Sequence, residues 1–244
     1  MNKLRGALCS INGNKYEKEI HNIVKKCTLN DIAFNTQNIN QLGGSKSCND
    51  LSCRMLQKDI GIEIKKFNTP DWMQCSIKYN NDTKQWFGSK NGKIPEGARN
   101  VFDELINNIE IFNNEIPIFL KYDITYEEWT LLKKDTKKWN DIYIEIPNDT
   151  IKKLYSLKNC YYIQISKYGL YHLGQDICGF NVPEFNIKQR MRIRIKVHTR
   201  KNKRGYCKLS VTAACQPNNI KTLDKSQYTL DHINKLPINL IYNN

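Results

Sequence analysis

No stretch of about 18 consecutive apolar residues occurs, so the sequence offers no helix able to cross a bilayer. Met1–Arg5 is followed by only a short apolar patch, which does not read as a secretory leader. Histidine is scarce: four are dispersed along 244 residues, which disfavours a His-Asn-His type nuclease centre. No close Cys-x-x-Cys pair is present. Cys48 with Cys53 and Cys207 with Cys215 are spaced poorly for structural zinc, so the nine cysteines are expected as free thiols in a reducing, cytoplasmic interior. Gly-x-Ser-x-Gly, Walker and dinucleotide fingerprints are missing, which argues against a serine hydrolase and against a nucleotide cofactor. No internal repeat and no low-complexity linker divides the chain.

Acids are also in deficit. Lys and Arg number 38 against 24 Asp and Glu, a formal net charge of +14. Such an excess favours a polyanionic partner, either nucleic acid or an acidic membrane surface. Hydrophobic residues make up 40% of the chain, enough for a sizeable core in one large domain.

Helical and strand patterns alternate. Asn14 to Lys26 reads as a helix, with Tyr16, Ile20, Ile23 and Val24 on one face. Ile32 to Ile39 reads as a strand, Gly43-Gly44-Ser45 as a turn, and Asp50 to Leu56 and Ile60 to Lys66 as two short strands. Asp71 to Lys93 is not assignable. Glu96 to Phe112 reads as a helix and Ile116 to Tyr122 as an apolar strand. A capping box of Thr125 and Glu128 opens another helix. Ile142 to Ile146 and Tyr161 to Ser166 are strands, with a short helix capped by Asp149 between them. Arg190 to Arg200 and Tyr206 to Ala214 form a hairpin, and residues from Asn218 onward look peripheral. The expected fold is α/β (α+β): a central mixed sheet flanked by helices, with a core over residues 1–165 and a β-rich extension over 166–244.

The sharpest chemical signal is Gly61-Ile62-Glu63-Ile64-Lys65-Lys66. Strand side chains alternate between faces, so Glu63 and Lys65 share one face roughly 6.6 Å apart at Cα, and the isoleucines share the other. Asp50 lies thirteen positions earlier, where a turn between two strands would bring the carboxylates together. Two carboxylates suit Mg²⁺, a hard cation that keeps some of its waters, and the Ile64 carbonyl would be a natural third ligand. An adjacent lysine can orient an attacking water or balance charge on a phosphorane. Glu17, on the first helix, adds a further acid.

A helix glutamate in Gly13-Asn14-Lys15-Tyr16-Glu17, then Asp50, then Glu63-x-Lys65 resembles the PD-(D/E)xK nuclease superfamily, which includes type II restriction endonucleases. Gly13 to Lys66, about a quarter of the chain, is similar to the core of the archaeal Holliday junction resolvases within it. Asn49 stands where that pattern often has proline. The resemblance implies a restriction-endonuclease-like core with Asp50, Glu63 and Ile64 as metal ligands and Mg²⁺ as cofactor, Mn²⁺ being able to substitute. It further implies Lys65 as the catalytic lysine, Glu17 as an auxiliary acid acting through water, and Ser45 in the Gly/Ser turn as a DNA contact.

Arg190-Met191-Arg192-Ile193-Arg194-Ile195-Lys196-Val197-His198-Thr199-Arg200 alternates without a break. Arg190, Arg192, Arg194, Lys196, His198 and Arg200 fall on one face along about 33 Å of strand, close to one turn of duplex DNA. Like charges side by side cost stability unless something anionic answers them, either a polyanion or acids such as Glu184. The tip Lys201-Asn202-Lys203-Arg204-Gly205 could enter a groove through Lys203 and Arg204, and Trp72, Tyr79, Trp86 and Phe87 could stack on bases. Together these features point to a Mg²⁺-dependent endonuclease of double-stranded DNA, of the type II restriction kind and a homodimer if its target is palindromic. A structure-selective resolvase or repair nuclease, an inactive DNA-binding module and an RNA substrate stay open.

Overall fold

The structure is a computed structural model that describes residues 2–33, 50–55, 58–69, 71–89, 94–107, 109–199 and 205–243. Ser45 and its Gly43-Gly44 turn, most of the strand expected at Ile32 to Ile39, Arg200, Lys203 and Arg204 lie outside the described residues.

The architecture is mixed α and β. Helix α1 (Asn2–Val24) leads into short strands β1 (Cys27–Leu29) and β2 (Ile32–Ala33). Next come β3 (Leu51–Met55) and β4 (Lys58–Lys65), then β5 (Met73–Asn80) and β6 (Gln85–Gly88). Helices α2 (Glu96–Ile106) and α3 (Tyr126–Thr136) precede β7 (Ile142–Ile146) and α4 (Thr150–Ser156). The chain closes with β8 (Cys160–Ile165), β9 (Gly169–His172), β10 (Gln189–Thr199), β11 (Lys208–Pro217) and β12 (Leu240–Tyr242).

The mixed sheet runs β3-β4-β8-β9, with β4 and β8 parallel and the other pairs antiparallel. A second, antiparallel sheet runs β6-β5-β11-β10-β7, and a third small one runs β12-β1-β2. Tyr16, Ile20 and Val24 of α1 pack on Ile60, Ile62 and Ile64 of β4. On the other side, Phe102 of α2 and Leu154 and Tyr155 of α4 share a larger core with β5, β10 and β11. Strand β4 is therefore buried on both faces, as parallel strands usually are.

Several expectations need correction: the helix expected over Glu96 to Phe112 ends at Ile106, and the one expected from Asn14 begins at Asn2. Ile116 to Tyr122 is a 3₁₀ turn at Ile118–Leu120, because Pro117 fixes a helical entry and short apolar runs are ambiguous in period. The segment after Asn218 is not peripheral: Leu230 and Leu240 are buried, and β12 pairs with β1. Trp72 and Trp86 are core residues, so these two rings are not free to stack on bases, while Tyr79 is partly buried and packs edge-on to Trp86.

Candidate functional site

The hairpin of β3 and β4 sets Leu51 opposite Ile62, which carries Asp50 to the end of β4. There the Ile64 N–H donates to Asp50 Oδ2 at 2.8 Å. Lys65 Nζ donates to Glu63 Oε1 and to the Ile64 carbonyl at 3.2 Å, and stands 3.8 Å from Asp50 Oδ2. One ammonium thus bridges both carboxylates. Glu63 is 3% exposed, and its second oxygen lies 3.8 Å from the Cys160 thiol. The ring of Tyr155 backs the ammonium at 5.8 Å and is itself fixed by a 2.9 Å bond to the Trp72 carbonyl.

Glu17 approaches from α1. Its Oε2 is buried without a hydrogen-bond partner among the described residues. Burial raises its pKa, Lys65 opposes that rise and Glu63 adds to it. Asp50 is pushed from 3.8 to about 7 by burial and by Glu63, while Lys65 and the Ile64 N–H pull it back. Burial acts against the Lys65 ammonium, but Glu63, Tyr155 and Asp50 outweigh it and hold the pKa well above the ordinary range. Two acids, Asp50 and Glu63, therefore pair with one cation, and the pKa values of Asp50 and Glu17 are both raised.

Asp50, Glu63 and the Ile64 carbonyl are oxygen donors of the kind a hard cation prefers. Among the described residues no three His, Cys, Asp or Glu side chains are grouped to hold a metal directly. Two carboxylates, Asp50 and Glu63, with the Ile64 carbonyl would leave several positions to water, which suits Mg²⁺. The unpartnered Glu17 oxygen suits a contact through such a water.

The site opens on a cleft of about 210 Å³ lined by Gly13, Glu17, Ile64, Lys65, Lys66 and Asp71, among others. Asp71 links it to the basic strand. Its Oδ2 meets Arg194 Nη2 at 2.7 Å, and its Oδ1 accepts from Gln216 Nε2 at 2.8 Å and lies 3.5 Å from Arg192 Nη1.

The expected alternation is present from Arg190 to Lys196, with Met191 and Ile193 fully buried, and a register shift between Val197 and Thr199 interrupts it. The strand is not an edge: β10 lies between β11 and β7. The acids that answer it are Asp71 and Asp141, not Glu184, which pairs with Lys152. Arg190 stacks on Tyr143 at 4.5 Å and bonds Gln216 at 3.0 Å. His198 bonds Ser210 at 2.6 Å; burial, then Lys196 and Lys208, lower its pKa, so it does not add to the positive face at neutral pH. Lys196 forms no ion pair among the described residues, and burial and Arg194 lower its pKa. Asp71, Asp141, Tyr155 and Cys160 were not legible as site residues. Asp71 falls in the unassigned stretch, and Gln216 is 145 positions away from it.

No protein-family model and no curated protein matches the chain. One matching solved structure is HhaI endonuclease in complex with DNA, at 10% identity over 69% of this chain and 78% of that chain, with a TM-score of 0.35. An overlap that loose carries no argument. No helix among the described residues is long and apolar enough to cross a membrane.

Proposed function

We propose that this chain is a Mg²⁺-dependent endonuclease that hydrolyses phosphodiester bonds of double-stranded DNA in the manner of a type II restriction enzyme. The supporting observation is the convergence of Glu17, Asp50 and Glu63 on Lys65, at a cleft whose wall residue Asp71 holds two arginines of β10.

In this reading Asp50, Glu63 and the Ile64 carbonyl would hold the cation, which when bound would supply a more acidic water and neutralise phosphoryl charge. Lys65, with the Tyr155 ring behind it, would orient the attacking water and offset negative charge developing on the phosphoryl oxygens. Glu17 holds a water at the cleft mouth. Arg190, Arg192, Arg194 and Lys196 track the backbone on either side of the scissile bond, and their register fixes where that bond lies relative to the carboxylates. A palindromic target requires a second copy of the chain for the other strand.

Incubation of a long linear duplex with Mg²⁺ tests the proposal. Discrete bands are expected, and Asp50→Asn or Glu63→Gln should each abolish them while leaving DNA binding measurable. Cutting confined to branched DNA would move the chain to the structure-selective nucleases. Binding without cleavage in either Mg²⁺ or Mn²⁺ would make it an inactive DNA-binding module.

A further inference from the structure

We propose that Arg192 and Arg194 form a subsite for a nucleic-acid backbone phosphate on the wall of the cleft, and that the Asp71 carboxylate is its internal occupant when no polyanion is bound. The inference rests on the reading of this chain as a DNA-binding nuclease, and it names the contact by which β10 and the cleft would share one substrate.

A carboxylate and a phosphodiester each present two oxygens sharing one negative charge, and a guanidinium fork matches either of them. Asp71 fills the position incompletely. It takes one nitrogen of Arg194 at 2.7 Å, reaches Arg192 only at 3.5 Å, and divides its attention with Gln216 at 2.8 Å. Arg194 Nε is buried and has no hydrogen-bond partner among the described residues. That is a donor left without an acceptor, on the edge of the guanidinium that a bidentate oxyanion would use. A buried donor of this kind carries a standing desolvation cost that a second oxygen would remove.

The surroundings fit an exchange. Asp71 lines the cleft together with Glu17, Ile64, Lys65 and Lys66, so a phosphate reaching the carboxylate cluster passes the same wall. Lys196 stands one step further along the same face of β10 without an ion pair among the described residues, which leaves the local charge positive even with Asp71 in place. Arg192 keeps Asp141 as a second anchor, through Nε at 2.9 Å and Nη2 at 2.5 Å, so releasing Asp71 does not set its side chain adrift. The chain would thus bind duplex less tightly than its arginine content suggests, because each contact there displaces a resident acid.

The test uses the full chain in EDTA, a labelled linear duplex of mixed sequence, and binding measured at several NaCl concentrations. Asp71→Asn should bind several-fold tighter, with a salt slope steeper by about one. Arg194→Gln alone should flatten the slope by about one. In the Arg194→Gln background, Asp71→Asn should give no gain. The proposal is overturned if Asp71→Asn binds no tighter, or if its gain persists undiminished without Arg194, which would mark a general charge effect. Should Asp71→Asn fail to fold by circular dichroism, an unchanged slope for Arg194→Gln overturns the proposal by itself. A gain seen on duplex RNA and not on DNA overturns the choice of partner. Wild-type chain that ignores duplex DNA removes both the subsite and the nuclease reading. Chain that binds and responds as expected yet never cuts removes the nuclease reading alone.

Discussion

At the scale of single residues, the centre is a problem in charge. Asp50 keeps its proton to about pH 7 because burial and Glu63 both resist ionisation. In the unfolded chain it would ionise near 3.8. The native state therefore binds more protons across that window, and stability contributed by this group is full below pH 3.8 and lost as pH rises through 7. Asp50→Asn should accordingly raise the melting temperature relative to wild type at pH 8, with the difference shrinking toward pH 4. A variant less stable than wild type at pH 8 would contradict this account. Cation loading acts on the same balance. Millimolar Mg²⁺ should raise the melting temperature of the wild type and leave Asp50→Asn and Glu63→Gln unmoved, since a ligand stabilises only the state that binds it.

At the scale of elements, β10 is both scaffold and surface. Its apolar face is core, and its arginines are tied to acids from outside the strand. Arg192→Ala should cost about 1–3 kcal/mol in urea unfolding, because Asp141 loses two charged hydrogen bonds and stays half-buried. Paired with Arg194→Ala, it should also weaken duplex binding and flatten its salt dependence. Strand β12 offers a cleaner packing test: Leu240 is 4% exposed against the α1 core, so Leu240→Ala should cost about 2–5 kcal/mol. The sequence made visible what is local and periodic. The Glu63-x-Lys65 strand, the alternation of Arg190 to Lys196 and the Thr125–Glu128 capping box all appear as expected, the last with the Thr125 N–H donating to Glu128 at 2.7 Å. What it hid is set by distant partners. Asp71 reads as a turn acid until Arg194 and Gln216 are folded against it. The tail reads as loop because its few apolar residues are spaced without a period, yet Tyr16 and Gln164 hold it through Asp231 at 2.8 Å and Leu230 at 2.9 Å. Pro117 turned an apolar run from strand to 3₁₀ turn.

At the scale of the whole molecule, each of the three sheets contains a pair of strands distant in sequence. β4 meets β8 in parallel, β5 meets β11, and β1 meets β12. Such topology is slow to form, because chain closure precedes the contacts that reward it. The timing of synthesis matters here. A nascent chain emerging from the ribosome with residues 50–65 complete has its acids but lacks the strand that walls Glu63 from solvent, since Cys160 and Ile163 come a hundred residues later. Asp71 waits longer still, until Gln216 is out, and Tyr16 until Asp231. Fragments released by premature termination would then carry the acids and the lysine without the walls that gather them, and a cell making this protein would be spared a half-built blade.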